Sequence, residues 1–397
     1  MTPRLATRAV HGGRQDLHEL GVHAPPLDLS TTYPFTDLDL ATASLEALAG
    51  GAVSAPTPVY SRLHNPTVAR FERALADLEG APEAVAFASG MAAMTAVLLA
   101  ARERGDHVVA VRPLYGGTDH LLASGMLGLT VTWARPDGVA AAIRPGTSLV
   151  VLETPANPTL ALVDIADVVR QASRVPVLVD STFATPVLQQ PLAMGAALSL
   201  HSATKFLGGH GDVLGGVVAA GPEWGAALRR VRVVTGAVLH PLAGYLLHRG
   251  LTTLPVRVLA QQQGAQLLAE RLASHPEVVE VAYPGLAGQD TRGLVGRQMA
   301  GPGSMLAFRV RDGHDAARRV MQRLQLITPA VSLGSVDTLI QHPAGLTHHV
   351  VDAMARDEGG IGPDLLRLSV GLEDAEDLWA DLSQALAVPA PRAAVAR

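Results

Sequence analysis

The chain, 397 residues long, reads as an α/β protein: a large domain on a mainly parallel seven-stranded sheet, then a smaller C-terminal α/β domain. Three observations predict this. Short apolar runs of strand length recur without polar alternation, which marks strands buried on both faces, the habit of parallel sheets. Helix-like stretches separate several of these runs, giving the alternation of βαβ units. After about Tyr245 the pattern changes to longer helices with isolated strands between them, the mark of a second unit.

Taken in order, the first sixty residues precede the alternation and are expected to be irregular. Gly12-Gly13, Pro25-Pro26 and Pro56-Thr57-Pro58 interrupt any regular pattern there. So long a segment is more often functional or partner-wrapping than idle. Asn65-Pro66 then supplies an N-cap followed by proline at the first helical position. Val68, Phe71, Leu75 and Leu78 follow at three- and four-residue spacing and predict one apolar helical face. The predicted strands are Val85–Ala88, His107–Val111, Leu129–Trp133, Leu149–Leu152, Val177–Val179, Leu198–Leu200 and Val217–Ala220. Met91–Arg104 and Ile165–Ser173 read as helices between them, and Val258–Leu272 and Met305–Arg311 as a helix and a strand of the second unit. A Pro- and Ala-rich tail is expected to fray.

Composition narrows the function classes. The net charge is −5 and basic residues are scattered, so no nucleic-acid surface is expected. The chain has no cysteine, which excludes disulfides, thiolate metal sites and a cysteine nucleophile. Its N-terminus lacks the apolar core of a signal peptide, and Val85 to Ala101, the most apolar stretch, is broken by Ser89, Gly90 and Thr95. It reads as a buried strand and helix, not a membrane span. A cytoplasmic location with no membrane partner is the expectation.

Lys205 is the single lysine among 31 basic Lys and Arg residues. A guanidinium stays protonated, whereas an amine can lose its proton and attack a carbonyl. Forming a Schiff base is the one common task that arginine cannot take over. Ligands of open α/β sheets gather beyond the carboxyl ends of the strands, and the other candidate groups fall at such ends. Asp180 closes one run, Asn157 follows the run ending at Glu153, Ser89-Gly90-Met91 links a strand to a helix, and Ser202 and Thr204 precede Lys205. These are the parts that a pyridine aldehyde with a phosphate would need. The amine takes the aldehyde and a carboxylate keeps the ring nitrogen protonated. Backbone N–H groups at a helix start, among small residues, hold the phosphate. Tyr115, in Pro113-Leu114-Tyr115-Gly116-Gly117, is placed to cover the ring face.

The strings that carry these residues resemble the Cys/Met-metabolism (trans-sulfuration) family of pyridoxal-phosphate enzymes: cystathionine γ-synthase, cystathionine β- and γ-lyases, methionine γ-lyase and the O-acylhomoserine sulfhydrylases. Asp180-Ser181-Thr182-Phe183-Ala184-Thr185-Pro186 with His201-Ser202-Ala203-Thr204-Lys205 is one signature. Tyr60-Ser61-Arg62-Leu63-His64-Asn65-Pro66-Thr67 is another, and the likeness runs on to Arg367-Leu368-Ser369-Val370-Gly371-Leu372-Glu373-Asp374. The resemblance implies fold type I, the aspartate-aminotransferase-like architecture, with pyridoxal 5′-phosphate as cofactor and no metal. It implies that Lys205 binds the aldehyde, Asp180 pairs with the ring nitrogen, Tyr115 stacks on the ring and Asn157 bonds near its hydroxyl. Ser89, Gly90, Met91, Ser202 and Thr204 would hold the phosphate. Arg367 would clamp the substrate carboxylate, assisted by Ser332 and Asn157. Tyr60 and Arg62 are implied to reach the phosphate of a neighbouring subunit, Tyr60 contacting substrate as well. That gives an arm at 1–62, a cofactor-binding domain at 63–250 and a small domain at 251–397, assembled as a homotetramer of catalytic dimers.

The implied reaction removes a γ-substituent from a sulfur amino acid, with Lys205 moving protons and Tyr115 donating one to the leaving group. Several residues depart from the methionine γ-lyase pattern. Gly117 stands where cysteine is usual, and Arg232-Val233 occupy an apparent loop that usually carries a Lys-Asp pair. Val331 stands where cystathionine enzymes often carry glutamate. A γ-lyase acting on cystathionine, homocysteine or methionine is the leading expectation. A γ-replacement transferase, cystathionine γ-synthase or a sulfhydrylase, is the alternative. His240 and His348-His349 read as packing residues.

Overall fold

The computed structural model describes residues 3–387, and the expected fraying of the tail lies outside them. The seven predicted strands all form, as β1 (Glu83–Phe87), β2 (His107–Val111), β3 (Thr130–Ala134), β4 (Thr147–Glu153), β5 (Val177–Asp180), β6 (Leu198–His201) and β7 (Gly216–Ala220). They make one sheet in the order β1-β7-β6-β5-β4-β2-β3. Only β7 runs against its neighbours; the pairs β6–β5, β5–β4, β4–β2 and β2–β3 are parallel.

Both faces of the sheet are covered, as the unbroken apolar runs require. Val218 and Ala220 of β7 join one core while Val217 and Ala219 join the core on the opposite side. In β4, Leu149 and Val151 likewise part from Val150 and Leu152. Successive strand residues point to opposite faces, so a strand buried on both must be apolar throughout. Val85 to Ala101, the stretch long enough to raise the question of a membrane span, resolves into β1 and a helix. Among the described residues no helix is long and apolar enough to cross a membrane.

The N-terminal segment is not wholly irregular. It holds α1 (Leu5–His11) and α2 (Leu38–Ala49). Asp37 caps α2 by accepting the Leu40 N–H, and Ala41, Ser44 and Leu48 form its buried face. The Gly and Pro pairs bound these helices without filling them, which is why reading them as breakers overstated the irregularity. The next helix, α3 (Pro66–Glu79), begins as expected: Asn65 Oδ1 accepts the N–H groups of Thr67 and Val68, and Pro66 opens the first turn. Left-handed Gly80 closes it. Its Val68, Phe71, Leu75 and Leu78 are buried against the sheet.

The loop expected around Arg232 and Val233 is instead the end of a helix, Pro222–Thr235. Proline at its start and left-handed Gly236 after it mark the true limits. Arg232 is held inside by Glu72 at 2.5 Å and by the Ala86 carbonyl at 2.9 Å. Its charge therefore belongs to packing beneath β1.

A second sheet of five strands follows, built from β8 (Val278–Ala282), β9 (Met305–Val310), β10 (Thr328–Pro329), β11 (Leu339–Gln341) and β12 (Leu365–Ser369), in the order β10-β11-β12-β9-β8. The helix Leu254–Ala273 packs on it through Ala265, Leu268 and Leu272. β12 lies between β11 and β9, so Arg367 at its centre is buried.

Phe71 is fully buried between α3 and the sheet. Phe71→Ala is expected to cost about 3–5 kcal/mol through lost transfer energy and the cavity left behind. A lower urea midpoint measures it.

Candidate active site

The carboxyl ends of β1, β4, β5 and β6 open onto a cavity of about 570 Å³, and the second sheet closes its far side with Ser332 and Arg367. It brings together Ser89, Gly90, Met91, Tyr115, Asn157, Asp180, Ser202, Thr204, Lys205, Ser332 and Arg367. Tyr60 and Arg62 are not part of its lining. They stack near each other, with the Arg62 guanidinium 5.5 Å from the Tyr60 ring centre, and Arg62 donates to the Val233 carbonyl. Tyr60 is exposed.

Lys205 follows β6 and its Nζ donates to Ser332 Oγ at 2.7 Å. Burial, with the Arg367 guanidinium nearby, lowers its pKa to about 8. Ser332 is a non-glycine residue at φ 88°, a left-handed conformation that a side chain makes costly. It faces two basic groups: its hydroxyl accepts from Lys205 and its carbonyl accepts from Arg367 Nη2 at 2.6 Å. Arg367 Nη1 donates to Asn157 Oδ1 at 2.9 Å, and its buried Nε has no partner among the described residues. Among the described residues no carboxylate pairs with Arg367. A buried guanidinium in that state is costly until an anion reaches it.

Asp180 ends β5. Its Oδ1 accepts from the N–H of Thr182 at 3.0 Å and from that residue's hydroxyl at 2.5 Å, and Oδ2 carries no bond among the described residues. Burial raises its pKa, so a cationic N–H placed at Oδ2 would be bound firmly. Thr182 Oγ1 also accepts the Ser202 N–H at 2.9 Å and so joins Asp180 to the loop that carries Lys205.

The start of α4 (Gly90–Arg102) faces that loop. Ser89 Oγ is taken by the Ala92 N–H at 3.1 Å, which leaves the first-turn N–H groups of Gly90 and Met91 without an intrahelical acceptor. A Cβ on Gly90 would lie 3.0 Å from the Ser202 Cβ, and one on Gly216 would lie 2.1 Å from the Ser89 carbonyl oxygen. Backbone approaches this close need glycine. Free N–H groups at the start of a helix, among small side chains, fit a phosphate. The Thr204 hydroxyl is committed to Gly215, donating to its carbonyl and accepting its N–H.

Tyr115 stands at the N-cap of α5 (Gly116–Ala123), and its N–H donates to Glu153 Oε2 at 2.7 Å. Gly117 leaves room for its ring: a Cβ there would lie 2.6 Å from Tyr115 Cε1. Glu153, Thr182 and Gln341, which stands opposite Arg367 on β11, were not among the sequence candidates. Glu153 ends its strand just as Asp180 does, so the same strand-end signal marked it. The histidines serve locally. His240 caps the following helix by accepting the Leu242 N–H, and buried His348 has its pKa lowered to about 4 by burial and by Arg367.

A buried amine of lowered pKa, a free carboxylate oxygen and an anion-binding helix start in one cavity define a site for an aldehyde cofactor that carries a phosphate. The chain belongs to the Cys/Met metabolism PLP-dependent enzymes, whose family model matches residues 6–387. It is 58% identical over 383 residues to the L-methionine gamma-lyase of Brevibacterium sandarakinum, covering 96% of each chain. It is 57% identical over 385 residues to that of Streptomyces avermitilis, covering 96% of this chain and 89% of the other. Among solved structures it is similar to the cystathionine gamma-lyase CalE6 of Micromonospora echinospora, with a TM-score of 0.88 at 42% identity, covering 98% of this chain and 100% of that one. Pyridoxal phosphate is therefore the cofactor.

Two outcomes test the site. With a pKa near 8, about 10% of Lys205 is neutral at pH 7, against well under 0.1% for an ordinary lysine. The rate at which apoenzyme takes up pyridoxal phosphate should climb steeply from pH 6 to 8 and level off above 8; a flat profile contradicts the assignment. Gly216→Ala, which forces Ser89 and Gly90 outward, should weaken cofactor affinity by at least about tenfold, or 1.4 kcal/mol, measured by fluorescence titration of the apoenzyme.

Proposed function

We propose that the chain is a carbon–sulfur lyase that carries out γ-elimination on methionine, releasing 2-oxobutanoate, ammonia and methanethiol. The observation that carries this reading is the cavity's charge inventory. Of its lining residues only Glu153, Asp180, Lys205 and Arg367 are charged, and Leu214, Val331 and Leu346 stand exposed at its edge. One amino acid head is provided for, by Arg367 with Asn157 and Ser332. The second ammonium and carboxylate of cystathionine would meet apolar side chains, at a desolvation cost. A thioether methyl suits that rim. The names of the Brevibacterium and Streptomyces relatives support the same substrate.

Bound pyridoxal phosphate supplies an aldehyde for the amine and a ring that withdraws electrons from the substrate's α-carbon. Lys205 would hold the aldehyde, and its free amine would be the base that takes the substrate's α-proton. The lowered pKa keeps enough of it neutral for that work. Asp180 retains a proton on the ring nitrogen through its free oxygen. Gly90 and Met91 N–H groups, with the Ser202 hydroxyl, hold the phosphate, alongside Ser89 as helix cap and Thr204 as brace of the loop. Arg367 binds the substrate carboxylate and so aims the Cα–H bond at Lys205. Tyr115 covers the ring and protonates the departing thiolate. Tyr60 and Arg62, which are not among the residues lining their own cavity, complete that of a neighbouring chain. This reading goes with an arm at 1–62, a cofactor-binding unit at 63–250 and a small unit at 251–397, in a cytoplasmic homotetramer.

Incubation with methionine and no thiol acceptor should release 2-oxobutanoate and methanethiol in equal amounts. Cystathionine formed from an O-acylhomoserine and cysteine, with no such release, would instead make the chain a synthase. Lys205→Arg should keep the charge yet lower kcat by at least ~10³-fold and abolish the absorbance band of the cofactor's Schiff base with this lysine. Val331→Glu should lower kcat/KM for methionine by about tenfold and narrow its advantage over cystathionine, as steady-state kinetics on both substrates will measure.

A further inference from the structure

We propose that Glu153 is a positioning residue for the reaction: one carboxyl group pins the Tyr115 loop and the Asn157 loop to the end of β4. The inference rests on the lyase reading above. Glu153 is only 5% exposed yet lines the cavity. Its Oε2 accepts the Tyr115 N–H and its Oε1 accepts the Asn157 N–H, each at 2.7 Å. The two anchored residues serve different ends of the reaction. Tyr115 covers the ring, and Asn157 holds Arg367 through Oδ1. Tyr115 lies beyond the end of β2 and Asn157 beyond the end of β4, where their N–H groups have no ladder partner, so a carboxylate with two acceptor oxygens is the side chain that satisfies both.

Its place in the sheet adds a second consequence. Glu153 and Asp180 are direct partners in the β4–β5 register, so two carboxyl groups lie side by side in a buried setting. Like charges so placed resist ionising together, and burial with Asp180 beside it raises the Glu153 pKa well above the usual carboxylate range. The two backbone N–H groups bonded to its oxygens oppose that rise and hold both oxygens as acceptors. Around Glu153 the remaining charged groups are Arg367, which opposes that rise, and His201, which acts on Asp180 from β6.

Glu153→Gln keeps the volume and one acceptor oxygen but turns an N–H toward an N–H, so one loop must be released. The variant and wild type are compared in three measurements: apoenzyme affinity for pyridoxal phosphate, kcat and KM for methionine, and thermal midpoint. Expected are cofactor affinity at least fivefold weaker and kcat/KM at least tenfold lower, because the one remaining acceptor oxygen can hold only one of the two loops at a time. Cofactor affinity, kcat and KM all within twofold of wild type would overturn the proposal, with or without a lower thermal midpoint. If the variant does not fold, Glu153→Asp, one methylene too short to reach both loops, is put to the same measurements and the same limits. Wild type that releases no 2-oxobutanoate from methionine would count against the lyase reading itself, whereas weaker cofactor binding by the variant would still support the two-loop anchor.

Discussion

Two basic side chains share one buried cavity, and among the described residues neither is ion-paired to a carboxylate. That arrangement, Lys205 and Arg367 both touching Ser332, is what the surrounding structure exists to maintain. Repulsion and desolvation would favour its dispersal. It is held because each group comes from a rigid element of a different sheet: Lys205 just after β6 of the large sheet, Arg367 in the middle of β12 of the small one. The amine answers by giving up its proton more readily; the guanidinium, whose pKa burial lowers only to about 10, stays charged at neutral pH and waits for an anion. Both responses are what a reaction on an amino acid requires.

The negative side of the site is arranged by register. Parallel pairing sets Glu153 beside Asp180 and Asp180 beside Leu200, so chemistry-bearing residues one strand apart come to the same edge without any irregular backbone. Past that edge, each carboxylate turns to a different task. Asp180 spends one oxygen on Thr182 and keeps the other free, while Glu153 spends both on backbone N–H groups. The acidic pair thus divides into a ligand and a fastener. Glycines set the remaining spacing, since Gly90 and Gly216 allow the start of α4 to lie against Ser202 and β7 at distances that a methyl group would prevent.

Much of this was legible in the letters. The apolar runs named every strand of the large sheet, because a strand buried on both faces must be apolar at each position. The strand-end positions of Asp180, Asn157 and Lys205 pointed to one cavity for the same reason that open α/β sheets bind ligands at their carboxyl edge. Helix ends were read less well where glycine and proline were involved. In the segment before Asn65 they lie outside helices that a run of punctuation seemed to forbid, and around Arg232 a stretch read as loop is the end of a helix whose arginine is buried against Glu72. Breaker residues show where regular structure stops, not how much of it fits between two stops.

The sequence by itself determined the large sheet, the single available amine and the family, since each depends on residue type at a spacing a few residues long. Only the tertiary structure decided that Arg367 has no carboxylate partner among the described residues, that Ser332 joins it to Lys205 and that one glutamate ties two loops. Those facts rest on contacts between residues as many as 210 positions apart, and local pattern carries no information about which distant backbone group will arrive unpaired.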